Sequence, residues 1–210
     1  EVDVNGGEPT ASKNYKKILA NLPENTIIVR MNTNGSRMIK ELESILSKRV
    51  MVIVTLSFDG VGDTHDYVRW PIKWKNYAKN VKAYQDLQKQ FPSLRLNSWT
   101  TVSCLNVANL PNILDFTTEH NIDHDWAFLN TPNVFHVKHR NRFTEFAKNK
   151  LQSSSYAQCR KIADSVAIGK DNDKQLLDHI NRQDTLRKID YKDYFSFDPN
   201  FSRNNLANRS

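Results

Sequence analysis

An α/β fold on a parallel sheet is what this chain predicts, and three observations predict it. Apolar, β-branched runs alternate with amphipathic helical stretches roughly every 25 to 40 residues. The runs read as continuous rather than alternating, which predicts strands buried on both faces. Most of them stop at a cluster of Gly, Asn, Ser or Asp, the residues of strand-to-helix turns. Right-handed crossovers would wind such a sheet into an open sheet or a partial barrel.

Val2 and Val4 end a short strand, and Asn5-Gly6-Gly7 breaks it. Tyr15, Ile18, Leu19 and Leu22 follow at helical spacing, with Ser12 in place to cap the helix and Pro23 to stop it. Thr26 to Met31 is a buried strand closed by Asn32-Thr33-Asn34-Gly35. Met38, Ile39, Leu42, Ile45 and Leu46 form the next helical face. Val50 to Leu56 is a third apolar strand, ended by Ser57-Phe58-Asp59-Gly60. After a longer loop, Val81, Tyr84, Leu87 and Phe91 share a helical face, and Leu94 to Val102 is a strand. Leu110, Ile113, Leu114 and Thr117 open another helix, and Asp125 to Leu129 reads as the last strand, ending near Pro132. Beyond it, residues 143–151, 156–167 and 174–187 read as more polar helices. Three parts are therefore expected: an α/β core over 1–135, a helical extension over 136–200 and a flexible tail over 201–210.

Composition narrows the class. Ten Phe, seven Tyr and four Trp in 210 residues are too costly to leave in water, so a packed core is required. No apolar run reaches the ~18 residues of a membrane span, and no leader pattern opens the chain, so a soluble, cytoplasmic protein is expected. Two cysteines, Cys104 and Cys159, supply neither a disulfide framework nor a cysteine-only metal site. Glu1 is not a start methionine, and the first residues already read as the later part of a core strand. A fragment or processed form with a missing upstream part is the expectation.

In parallel α/β folds, ligands sit at the carboxyl ends of the strands. That rule points to Gly6-Gly7-Glu8-Pro9, to Asn32-Thr33-Asn34-Gly35, to Ser57-Phe58-Asp59-Gly60 and to Thr101 through Asn106. Adjacent glycines let backbone approach a ligand, and Glu8 sets a carboxylate beside them, suited to an amine. The plainer reading of the same residues is a tight turn with an acid near the start of a helix.

Taken together, Gly-Gly-Glu-Pro, Thr-Asn-Gly and Leu-Ser-Phe-Asp-Gly with His65 and Arg69 downstream resemble the radical S-adenosylmethionine (radical SAM) superfamily. The peptide-modifying branch with SPASM or twitch extensions is the most similar, over roughly residues 2–135. Weaker similarity extends to Asp184-Thr185-Leu186-Arg187-Lys188-Ile189-Asp190 and Asp198-Pro199. The resemblance implies a partial (β/α)6 radical SAM-type barrel missing its first strand, with a C-terminal helical extension. It implies that Gly6, Gly7 and Glu8 hold the amino group of the SAM methionine, and that Ser57, with Asp59 in the same turn, contacts its ribose or carboxylate. Asn34 would line the site, and Arg69 would grip the carboxylate with a two-pronged hydrogen bond. Thr101 and Asn106 lie on the matching fifth strand.

By the same resemblance, the parent enzyme would cleave SAM reductively to a 5′-deoxyadenosyl radical and abstract hydrogen from a peptide or small-molecule substrate. The electron would come from a reductant such as ferredoxin or flavodoxin through a [4Fe-4S] cluster. The Cys-x3-Cys-x2-Cys loop that ligates that cluster has no counterpart here, so its ligands are expected upstream of Glu1, and this piece alone is expected to be inactive.

Other groups carry plainer expectations. His120 with His124, and His136 with His139, have metal-ligand spacings but no completing acid or cysteine, and read as surface or turn residues. His65-Asp66 could form an acid–base pair, although its loop position favours a structural or SAM-proximal role. Cys104 reads as core packing, and Trp70, Trp74 and Tyr77 as one helical face serving core or lid. With 30 Lys and Arg against 23 Asp and Glu, the densest positive patch runs over Lys138-His139-Arg140-Asn141-Arg142. It keeps open the alternative of a cluster-free α/β binding module for RNA.

Overall fold

The computed structural model describes residues 1–4, 7–12 and 14–195. Its five strands are β1 (Val2–Val4), β2 (Ile28–Thr33), β3 (Met51–Ser57), β4 (Leu94–Val102) and β5 (Asp123–Phe128), and they form one sheet in the order β1-β2-β3-β4-β5. The β1–β2, β2–β3 and β3–β4 ladders are parallel, with Val4 opposite Met31, Thr33 opposite Leu56 and Ser57 opposite Trp99. The fold is thus α/β, as the sequence predicts. A strand order that never reverses is that of a partial barrel and not of a doubly wound sheet, whose order turns back on itself.

The helices are α1 (Tyr15–Ala20), α2 (Leu42–Leu46), α3 (Asp63–Val68), α4 (Trp74–Gln90), α5 (Leu110–Glu119), α6 (Arg142–Gln152), α7 (Ala157–Ala163) and α8 (Asp173–Arg187). None among the described residues is long and apolar enough to cross a membrane. The proposed tail, 201–210, lies outside the described residues, as do Gly6, Asp198 and Pro199.

The chain divides into two compact units, each discontinuous in sequence. The first takes Glu1–Phe58, Ile72–Thr100 and His120–Asp125; the second takes Asp59–Pro71, Thr101–Glu119 and residues 126–195.

In the first unit the strands are not buried on both faces, contrary to the sequence expectation. Val29, Met31, Val52, Val54, Leu56, Leu94 and Leu96 are buried, while Arg30, Asn32 and Arg95 on alternate positions are exposed. The polar residues at every second position of β2 and β4 set this pattern, since successive side chains point to opposite faces. The buried face is sealed by helix residues including Tyr15, Ile45, Tyr77, Val81 and Tyr84. Tyr84 ties the turn after β2 to α4, accepting the Ile39 amide at 3.2 Å and donating to the Arg37 carbonyl.

Three local expectations are corrected. Ser12 does not cap α1: Pro9–Ala11 form a 3-10 turn capped by the Glu8 carboxylate, Ser12 closes that turn, and α1 starts after Asn14. Residues 38–41 lie outside α2, although Ile39 is buried where its spacing predicts. Trp70 does not share a face with Trp74 and Tyr77, because Pro71 separates it from α4 and breaks helical continuity.

In the second unit, a buried cluster joins Tyr67, Cys104, Phe143, Leu176, Ile180, Tyr191, Tyr194 and Phe195. Helix α6 starts on a reciprocal cap: Asn141 accepts the amides of Phe143 and Thr144, and the Thr144 hydroxyl accepts the Asn141 amide. Helix α8 ends at Lys188, whose left-handed backbone lets the Ile189 amide reach back to the Asp184 carbonyl. Helix α3 is an element the sequence does not announce. It has six residues, four of them polar or charged, too short a window for periodicity to register.

Candidate functional site

Two turns at the carboxyl end of the first unit's sheet are bonded to each other through one carboxylate. Glu8, just beyond β1, accepts the Asn34 amide at 2.7 Å and the Thr33 hydroxyl at 2.9 Å, both at the end of β2. The same carboxylate accepts the Thr10 hydroxyl at 2.8 Å and the Thr10 amide at 3.2 Å. A carboxylate has about four lone-pair sites, so four donors from this chain fill it. Glu8 is therefore first a clamp between two strand ends, with its charge left to act on a ligand through space.

Glycine is required beside it. Gly7 has φ +62, a left-handed backbone that costs other residues roughly 1–2 kcal/mol. Its neighbour Gly6 lies outside the described residues. In the second turn the Asn34 carboxamide accepts the Ser36 amide at 2.9 Å, and the Thr33 hydroxyl accepts the Gly35 amide. The Asn34 side chain is thus spent on holding its own turn, while its amide and the hydroxyl of Thr33, a residue the resemblance gives no role, carry the link to Glu8. The signal for Thr33 is register: its side chain falls on the face of β2 shared by buried Val29 and Met31, where a hydroxyl needs a partner.

Ser57 closes β3, the next strand along, and its hydroxyl makes no hydrogen bond to a described residue. Phe58 follows, buried and stacked on Tyr77 at 5.4 Å, with Tyr77 in turn stacked on Trp74. Nearby in the same unit, His124 shares a 2.9 Å hydrogen bond with the Ser98 hydroxyl, and burial lowers its pKa. His124 is thus held by a serine, while the His120 carbonyl accepts from Gln85. Among the described residues no group of three or more His, Cys, Asp or Glu could hold a metal ion.

No family model matches this chain, and no curated protein matches it. Among solved structures it is similar to Streptococcus suis SuiB bound to S-adenosylmethionine, at 17% identity and TM-score 0.49, over 90% of this chain and 36% of that one. It is similar to SuiB bound to precursor peptide SuiA at 19% identity and TM-score 0.48, with the same coverage. Native anSMEcpe with bound AdoMet aligns at 17% identity and TM-score 0.47, over 91% of this chain and 49% of that one. None of these likenesses goes beyond fold. The chain spans about a third to a half of the length of the structures it matches.

The second unit holds the remaining sequence candidates. Asp59 is buried and bridges two partners, accepting the Thr101 amide at 2.8 Å and pairing with Arg69 Nε at 2.8 Å. Asn106 is consumed by the turn after β4, donating to the Thr101 carbonyl and accepting the Ser103 amide. His65, on α3 one turn before Arg69, is fully buried. Burial, reinforced by the Arg69 charge, pushes its pKa down to about 4 against the pull of Asp66 and the Gly60 backbone. It is therefore neutral at pH 7.

Cys104 is buried in the hydrophobic cluster and burial raises its thiol pKa, so it is a core residue, as expected. The basic stretch is partly neutralised by its own neighbours. Arg140 pairs with Glu145 at 3.1 Å, and Arg142 with Asp173 at 2.9 Å. Two of its guanidinium groups are therefore already engaged, which weakens the case for a phosphate-binding surface.

Proposed function

We propose that this chain is part of a radical SAM enzyme whose first unit binds the methionine end of S-adenosylmethionine at the turns after β1, β2 and β3. The observation that carries this reading is the Glu8 clamp, which joins the Gly-Gly-Glu-Pro turn to the Thr-Asn-Gly turn at adjacent parallel strand ends.

The residues present suit that ligand. Gly7 offers a backbone without a Cβ for close approach, with nothing within 4 Å of the place a Cβ would take. Glu8 provides a fixed negative charge for an ammonium, and Ser57 an unengaged hydroxyl for a ribose or carboxylate oxygen. Asn34 shapes the turn through its carboxamide and ties it to Glu8 through its backbone amide. Asp59 and Arg69 belong to the second unit, where they pair with each other, and they form no part of the first-unit site proposed here. The helices after residue 136 are proposed to be a twitch-like extension.

When bound and reduced, SAM supplies a 5′-deoxyadenosyl radical able to take hydrogen from a carbon of a peptide or small-molecule substrate. The cluster that such a reduction needs does not fit this chain. Its two cysteines, Cys104 and Cys159, are both buried and do not form part of any ligand group among the described residues. The role of Gly7, Glu8 and Ser57 is to bind and orient the cofactor, and the reductant, of ferredoxin or flavodoxin type, belongs to the proposal for the whole enzyme.

Calorimetric titration of the chain with SAM tests the reading. Saturable binding is expected, weakened several-fold by Ser57→Ala with no change in melting temperature, because that hydroxyl makes no hydrogen bond to a described residue. Absence of saturable binding, or full affinity in both Ser57→Ala and Glu8→Gln, overturns it. Tight, salt-sensitive RNA binding in place of SAM binding would instead favour a cluster-free module.

A further inference from the structure

One cavity of the second unit, about 230 Å³, is used by nothing described so far. Val68, Leu105, Leu129 and Phe135 provide an apolar wall. Helix α8 provides a polar one, through His179, Gln183 and Arg187. These three recur every four residues, so they form one stripe along the helix, turned toward the cavity.

The stripe is only lightly engaged: the Arg187 charge acts on Asp184, one turn earlier on the helix. Arg187 makes no ion pair with a described residue, although it is held in place. Its Nη1 donates weakly to the Tyr67 carbonyl at 3.4 Å, and its guanidinium lies 5.8 Å from the centre of the Trp70 ring. The Gln183 carboxamide and the His179 ring nitrogens make no hydrogen bond to a described residue; the His179 ring meets Phe135 edge-on at 5.0 Å. A positioned cation and two polar groups that converge on an apolar cavity have the makeup of a ligand site and not of a packing defect.

We propose that this cavity binds a small apolar carboxylic acid, with its body against Leu105, Leu129 and Phe135 and its carboxylate on Arg187. The volume suits a ligand of about a dozen non-hydrogen atoms, since a water takes ~30 Å³ of liquid volume and a bonded heavy atom less. The guanidinium selects the carboxylate because it presents a planar fork of donors, and Gln183 can add a donor from the same face. This site is independent of the SAM reading, as it uses none of the residues assigned to SAM.

The test is titration calorimetry of the 210-residue chain with three probes: 3-phenylpropionate, its neutral amide and acetate. Saturable binding of 3-phenylpropionate is expected, with the amide at least about tenfold weaker and acetate silent. Arg187→Gln should lose about tenfold or more, Arg187→Lys less, and Leu105→Trp should abolish binding by filling the cavity. Thermal melts report whether each variant is folded, and the amide comparison needs no variant. Equal affinity for acid and amide, undiminished binding by folded Arg187→Gln, or no saturation by the acid overturns the proposal. SAM titration of the same sample separates the two readings, because either site can fail alone.

Discussion

The ring of Tyr77 occupies the space in which any side chain at residue 35 would have to sit. A Cβ on Gly35 would lie 2.5 Å from Tyr77 Cε2 and 2.7 Å from Cδ2, where real Cβ contacts essentially never fall. Tyr77 is itself pinned by stacking between Phe58 and Trp74, so it cannot move aside cheaply. The glycine of the Thr-Asn-Gly turn is therefore fixed twice, by a φ of +68 and by an aromatic stack from α4.

Gly35→Ala is expected to cost roughly 2–4 kcal/mol, adding overpacking to left-handed strain. Gly7→Ala shares the backbone strain but meets nothing within 4 Å, and should cost only about 1–2 kcal/mol. Urea unfolding of both variants separates the two contributions; equal losses would remove the crowding role of Tyr77.

Glu8→Gln should destabilise the first unit by about 1–3 kcal/mol, because an amide turns donors toward groups that themselves donate. Thr33→Val in the same background should cost less than it does alone, since the two residues share one bond. A double-mutant cycle that closes additively would show that the clamp is not a coupled unit.

Stability should fall on mild acidification, with His65 a main cause. Its folded pKa, about 4, lies below the unfolded value of 6.5, so the unfolded chain binds the extra proton first. The stability it contributes is intact above pH 6.5 and is lost as pH falls from there toward 4, on the order of 2 kcal/mol by pH 5. Unfolding free energies at pH 7 and pH 5 should show that loss in the parent and a smaller one in His65→Leu.

Tyr67→Phe should cost about 1–3 kcal/mol, for the tyrosine hydroxyl donates to buried Asp184 at 2.8 Å. Burial already raises the Asp184 pKa, and this hydroxyl, the Tyr191 amide and the Arg187 charge hold it down. The variant should therefore raise the Asp184 pKa further, visible by NMR titration of its carboxyl carbon. An unmoved titration would deny the coupling.

How much of this was legible in the sequence depends on the distance over which each signal acts. The β3 and β4 runs are dense in Val, Ile, Leu and Thr, and their bounds fall within a residue of where composition puts them. Face assignment was harder, because Arg30, Asn32, Arg95 and Asn97 interrupt runs that are otherwise apolar. The turns that carry the candidate residues stand out through their Gly, Asn and Ser. Their mutual bonding does not, since Glu8 and Asn34 meet only once two parallel strands are in register. Asp59 with Arg69, and Tyr67 with Asp184, are likewise products of tertiary structure; spacing alone predicts neither.

The unreversed strand order has a consequence for how the chain is made. Each of β2, β3 and β4 has its ladder partner in the strand immediately before it, one intervening connection away. The sheet can therefore grow in the order of synthesis, with every new strand finding a finished edge and none waiting for a distant segment. Loop closures stay short, which favours rapid folding for a parallel sheet, a topology that is otherwise slow.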